Sequence, residues 1–270
     1  MKIYSLVFDY NISKMKSTGR PWAETAYKNK DFIFSYSAAS IATFLHHNPH
    51  LKYEVLTDDL ELLSKKIDAY NVSTSNLSLK DANHLIQEWT THWYSFWPLI
   101  ASFDHQISNS DDGVLKLDND LTCLKPIDSL LEHEGAIVWK LERNCKDGRD
   151  YWGEKYAAFK AFGTDNFNIY NTGTWGVSSK FASVAKSIPY LCERMINIDV
   201  SSVTKFPESP HVKTRVFNTS DQVSNCFFLH KNNLPVLETN SWFEHHCYGH
   251  NAKSLCIIKS EFLRKNVGNI

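Results

Sequence analysis

The chain has 270 residues, 43% of them apolar, and a formal net charge of −1. That length and apolar share support one large domain with a full core. The near-neutral balance argues against nucleic acid or an anionic membrane surface as a partner, and no run approaches the roughly 20 apolar residues of a membrane-spanning helix.

The opening MKIYSLVFDYNISK is apolar over too few residues for a secretory leader and reads as a first strand. The six cysteines of the chain contain no CxxC pair, which fits reduced thiols and a cytoplasmic protein. Lys2 to Phe8 alternates β-branched and aromatic residues, as a strand does. It runs into Asp9, Tyr10 and Asn11 and then a polar stretch from Ser13 to Lys30. Phe32 to His47 has helical spacing and stops before Asn48-Pro49, because the residue before proline resists the helical conformation. Tyr53 to Thr57 is a second strand, and the Asp58-Asp59 pair after it suits the N-cap of a helix over Leu60 to Tyr70. The pattern from Ser78 to about Ile100 predicts a long helix with Trp89, Trp93 and Trp97 on one face. Val114 to Leu117 and Ala136 to Leu141 read as strands.

Strand, helix, strand, helix, helix, strand predicts a parallel α/β sheet of the nucleotide-binding type. In such sheets ligands sit beyond the carboxyl ends of the strands. Asp9, Asp58/Asp59 and Asp118/Asp120 each follow a strand and are expected to converge on that edge. Asp118 and Asp120 close the apolar strand in VLKLDNDLTCLKPIDSLL. Two carboxylates in a turn can reach one hard cation, Mg²⁺ or Mn²⁺, and such ions are usually shared with substrate phosphates.

A strand ending in DxD and followed by LKPIDSLL resembles the GT-A fold of nucleotide-sugar glycosyltransferases, most closely the family 8-like group. YNTGTWGVS, Tyr170 to Ser178, is similar to that family's (F/Y)N(S/T)G segment. Asp221-Gln222 in TSDQVSN resembles its DQ pair, and HHCYGHNAK, His245 to Lys253, resembles its HxxGxxK segment with the lysine one place late.

The resemblance spans nearly the whole chain. It implies a single α/β domain over residues 1–270 with a mixed, mostly parallel sheet. Residues up to about 120 would form the nucleotide-sugar half and 121–270 the acceptor half. It also implies a metal-dependent transferase moving a sugar from a nucleoside-diphosphate donor, with UDP as the nucleotide, to a hydroxyl of a glycan or another acceptor.

By the same resemblance Asp118, Asp120 and His246 hold Mn²⁺ or Mg²⁺, with His245 and His250 as alternatives to His246. Asp9, Tyr10, Asp58, Asp118, Asn119 and Lys253 face the donor, and Lys16 and Arg20 are candidate phosphate contacts. Asn171, Thr172, Gly173 and Trp175 face the sugar or the acceptor. Asp221 and Gln222 are the candidate catalytic pair, with Glu244 as another candidate base. The rival reading is a catalytically inactive module that binds a nucleotide-sugar or a glycan.

Overall fold

The computed structural model describes residues 1–8, 30–83, 106, 112–144, 162–164, 167–191 and 220–246. A seven-stranded sheet forms the centre. Its strands are β1 (Lys2–Val7), β2 (Tyr53–Thr57), β3 (Leu77–Asp81), β4 (Gly113–Leu117), β6 (Ala136–Asn144), β7 (Asn168–Ser178) and β8 (Val236–Glu238), in the order β3-β2-β1-β4-β7-β6-β8. β5 (Leu121–Cys123) and β9 (Phe243–His245) form a separate two-stranded ribbon. The helices are α1 (Lys30–His47), α2 (Leu60–Asp68), α3 (Asp128–Leu131), α4 (Ser179–Ala185) and α5 (Ser220–Asn232).

β1, β2, β3 and β4 run parallel, whereas β7 is antiparallel to both β4 and β6. The sheet is therefore mixed, with a parallel half whose carboxyl ends share one edge. Asp58-Asp59 and Asp118-Asp120 both follow strands of that half. Asp9 and Tyr10 lie outside the described residues.

Alternation along the strands separates two cores. Ile3 and Val7 of β1 and Leu115 and Leu117 of β4 face the side covered by α1, where Phe34, Ile41 and Phe44 are buried. Tyr4, Leu6 and Phe8 face the other side with Trp175 of β7 and Phe227 and Phe228 of α5.

Buried polar groups of α1, and of Asn48 directly after it, organise the segment after β4. Ser40 Oγ donates to Leu121 O. Thr43 Oγ1 accepts from Cys123 N at 3.0 Å, and Asn48 Oδ1 accepts from Ile127 N at 2.9 Å. Each would cost a buried, unmatched polar group if lost, so α1 holds the chain on the far side of the acids as well as filling the core.

Asp59 caps α2 as its position predicts, its Oδ1 accepting from Leu62 N at 2.9 Å. The expected helix from Ser78 is replaced at its start by β3, which pairs in parallel with β2 from Tyr53↔Leu77 to Thr57↔Asp81. Leu77 and Leu79 alternate with Ser78 and Lys80, and that short period-2 pattern wins over the tryptophan spacing downstream. Trp89, Trp93 and Trp97 lie outside the described residues.

Glu54 of β2 ties this end of the sheet together. Its carboxylate pairs with Lys2 at 3.4 Å and with Lys80, and accepts from Gln106 Nε2 at 2.6 Å. Burial is the largest single influence on Glu54 and raises its pKa. Hydrogen bonds from Lys80 and Gln106, together with the charges of Lys2 and Lys80, outweigh it and hold the group below its ordinary 4.5. A depressed folded-state pKa gives stability that is present above that ordinary value and is lost as pH falls through the folded value. The slope of urea-unfolding free energy against pH below about 4.5 is therefore expected to be shallower in Glu54→Gln than in the wild type. Equal slopes would remove this role for Glu54.

Candidate metal and donor site

The acids sit in the turn between β4 and β5. Asp118 N donates to Gly173 O at 2.8 Å, which fixes the turn to β7. Asp120 is fully buried and Asn119 nearly so. Asp118 keeps 29% of its side chain exposed.

The third member of the group arrives by strand pairing. β5 and β9 are antiparallel, with Leu121 opposite His245, Thr122 opposite Glu244 and Cys123 opposite Phe243. That register puts the His245 ring beside the acids. His245 Nε2 lies 3.1 Å from Asp120 Oδ1 and 3.8 Å from Asp118 Oδ2. Ligand atoms of Asp118, Asp120 and His245 all lie within 4.8 Å of one another.

His246 is placed elsewhere, which corrects the histidine that the sequence pattern put first. Neighbouring residues of a strand point to opposite faces. His246 Nε2 accordingly meets Thr122 Oγ1 at 2.9 Å and lies 3.9 Å from Glu244. Its backbone amide, not its ring, reaches the acid turn, donating to Asp120 O at 3.1 Å. Glu244 shares the face away from the acids.

Three features hold His245 in position. Trp139 meets its ring edge-on at 5.1 Å and donates its own Nε1–H to Phe243 O at 3.0 Å. Gly173 lies directly beneath: a Cβ there would fall 2.6 Å from His245 Nδ1. The glycine of the NTG segment is thus explained by close approach of an imidazole.

Lys116 completes the electrostatics. It is buried on β4, on the same strand face as Asp118, and its ammonium is 2.7 Å from Asp118 Oδ1. Burial, the largest influence, pushes the Asp118 carboxyl up; Lys116 pulls it down, Asp120 pushes it up again, and His245 pulls it down. The net direction is upward. Two close carboxylates in a poorly hydrated site call for added positive charge. Oxygen ligands of this kind suit a hard divalent cation, and an imidazole nitrogen extends the set toward a transition metal. The residues present therefore fit a divalent ion.

The remaining expected site residues divide into three groups. Asp58 stands on the same sheet edge two strands from β4, roughly 10 Å away at the usual strand spacing. Asn171, Thr172 and Gly173 lie inside the continuous strand β7, not in a loop, and Asn171 and Thr172 are nearly buried. Gln222 lies at the start of α5 and donates from Nε2 to Glu142 at 3.0 Å and to Tyr170 O at 2.9 Å.

Trp175 is corrected from a sugar-facing ring to a core residue. It is 2% exposed among Tyr4, Val138 and Phe228. Swinging it out would forfeit packing worth about 3 kcal/mol or more. Asp221 is the second residue of α5. Lys16, Arg20, His250 and Lys253 lie outside the described residues. Lys116, Trp139 and Glu142 are neighbours of the site that motif reading missed.

The structure resembles the crystal structure of the galactosyltransferase LgtC in complex with donor and acceptor sugar analogs. The TM-score is 0.52 over 97% of this chain and 96% of that one, at 11% sequence identity. The fold is GT-A. An active-site mutant of LgtC aligns with a TM-score of 0.48 at 14% identity, over 73% of this chain and 65% of that one. The apo form of the glycosyltransferase GlyE of Streptococcus pneumoniae TIGR4 aligns at 0.44 and 16% identity, over 88% of this chain and 45% of that one. Of these three, the first alone passes 0.5, and at its identity it establishes the GT-A fold without the chemistry. By sequence, no family model and no curated protein matches the chain.

In this GT-A sheet, Gly173→Ala is expected to push the His245 ring off the acids, because the new methyl overlaps the imidazole. Mn²⁺ affinity, measured by calorimetry, should fall at least about tenfold, as when a group that orients a metal ligand is lost. Unchanged affinity would show that His245 is not a ligand.

Proposed function

We propose that this chain is a metal-dependent glycosyltransferase that moves a sugar from a nucleoside-diphosphate donor, UDP in the first instance, to a hydroxyl of a glycan or related acceptor. The observation that carries the reading is the Asp118–Asp120–His245 group at the carboxyl edge of a GT-A sheet. A hydrolase working through two carboxylates would not need the imidazole, and a binding module would not need a buried carboxylate pair.

Asp118, Asp120 and His245 are assigned as the metal ligands. Two oxygens and one nitrogen favour Mn²⁺ over Mg²⁺, which prefers an all-oxygen shell. When bound, the ion supplies charge neutralisation of the leaving diphosphate and polarisation of the bond to the sugar.

The protein's own groups divide the remaining work. Lys116 keeps one positive charge against Asp118, so that the acid pair does not rely on the ion alone to stay organised. Asp58, Asn119 and, beyond the described residues, Asp9 and Tyr10 are assigned to the nucleotide. Lys253 is assigned to the diphosphate. Asn171, Thr172 and Gly173 are assigned to the sugar and acceptor side. Asp221 and Gln222 are assigned to the reacting centre. Residues 1–120 form the donor half on this reading and 121–270 the acceptor half. Among the described residues no helix is long and apolar enough to cross a membrane.

The test is nucleotide release from a panel of UDP-sugars with Mn²⁺, with and without EDTA. Release that depends on the metal and falls roughly 100-fold or more in Asp120→Asn is the expected result, given that loss of mere outer-shell support already costs 10- to 100-fold. Tight UDP binding without turnover would favour the inactive-module reading. Sugar release from a glycan with no nucleotide present would point to a hydrolase.

A further inference from the structure

One carboxylate holds two amide side chains, Asn171, assigned above to the sugar and acceptor side, and Gln222, assigned to the reacting centre. Glu142 stands near the end of β6. Its Oε1 accepts from Asn171 Nδ2 at 2.8 Å, and its Oε2 accepts from Gln222 Nε2 at 3.0 Å. These partners come from β7 and α5, separated from Glu142 by 29 and 80 residues.

The chemistry of the partners fixes how each amide is turned. A carboxylate and a peptide carbonyl only accept hydrogen bonds. Gln222 Nε2 faces both Glu142 and Tyr170 O, at 3.0 and 2.9 Å, so both of its hydrogens are committed there. The Gln222 carbonyl oxygen is thereby turned to the opposite side of the amide. Asn171 is fixed in the same way, since its Oδ1 accepts from Gly173 N at 2.8 Å while its Nδ2 donates to Glu142.

The chain of contacts continues to the metal group. Gly173 O accepts from Asp118 N at 2.8 Å, and Gly173 underlies the His245 ring. A continuous hydrogen-bonded path thus runs from Asp118 through Gly173, Asn171 and Glu142 to Gln222. Glu142 is the one link in it that can accept from two side chains on different elements at once.

We propose that Glu142 is a positioning residue for sugar transfer, resting on the glycosyltransferase reading above. It sets the Gln222 carbonyl oxygen in one orientation and holds it in register with the metal group. Glu142 is exposed, so its replacement disturbs the core little, and the consequence falls on geometry. Misplacing a group at a reacting centre by a fraction of its hydrogen-bond length is enough to slow the chemical step.

Glu142→Gln keeps the shape but puts a donor where one acceptor was, so one of the two amides must turn or withdraw. Three quantities test it, with Mn²⁺ present: steady-state kinetics on a UDP-sugar that the wild type uses, UDP affinity by calorimetry, and the side-chain amide NMR resonances of Asn171 and Gln222, assigned with N171D and Q222E. In E142Q, kcat is expected to fall about tenfold or more, while the donor KM and UDP affinity stay within about twofold, a loss confined to the transition state. Both amide resonances should move, and Tm should not change beyond about 2 °C.

Unchanged kcat in E142Q overturns the proposal. So does a parallel fall in UDP affinity and Tm, which would make Glu142 an ordinary structural residue. If the wild type neither binds UDP nor turns over any donor, the glycosyltransferase reading fails and the amide resonances alone decide: shifted signals uphold the positioning by Glu142, and unshifted ones overturn it.

Discussion

The site depends on a two-stranded ribbon outside the main sheet. β5 leaves the acid turn and pairs with β9 so that Leu121 meets His245. That pairing carries a side chain from more than a hundred residues downstream onto Asp118 and Asp120. A slip of one residue would turn His246 inward and His245 outward. The register is held from both sides. Asp120 O accepts from His246 N, and Leu124 N donates to Trp242 O at 2.9 Å. On the inner side, Ser40 and Thr43 of α1 bond the backbone of Leu121 and Cys123. The buried helix, the ribbon and the acid turn therefore form one mechanical unit.

The electrostatics explain why that unit is built so tightly. Two carboxylates with little water around them repel one another and resist ionisation. Lys116 offsets one charge at 2.7 Å, and the His245 ring stands 3.1 Å from the other acid. The group keeps more acid than base in one small space, the charge balance that a divalent ion would complete. The β7 strand then transmits the geometry outward. Gly173 supports both the Asp118 amide and the His245 ring, and Asn171 links to Glu142 and Gln222.

Much of this was legible in the chain itself, for physical reasons. β1 and β2 are short and rich in β-branched or aromatic residues, β4 is a short apolar run, and each is followed by an acid, so their parallel alignment and common edge could be read from pattern alone. The Asp59 cap followed from its place before an amphipathic segment. β3 was hidden because five residues of alternation were overshadowed by a stronger four-residue tryptophan repeat further on. β7 was hidden because a strand buried on both faces shows no alternation, and the Asn and Gly in its middle are poor strand formers. The choice between His245 and His246 needed the β5–β9 register, which adjacent histidines in sequence cannot reveal. Trp175 looked like a sugar platform because its segment resembles a functional motif, yet strand alternation turns it into the core. Glu142 carried no signal at all, since its partners meet it only in the folded chain.

The central claim is that Asp118, Asp120 and His245 together bind one divalent cation. The most direct measurement is anomalous diffraction from crystals of the protein grown with Mn²⁺ and UDP. A single manganese peak at coordination distance from one oxygen of each acid and from His245 Nε2, with the diphosphate on its open side, is the result this account predicts. A fully occupied manganese peak away from these three side chains, or none at saturating Mn²⁺ with UDP in place, would contradict it.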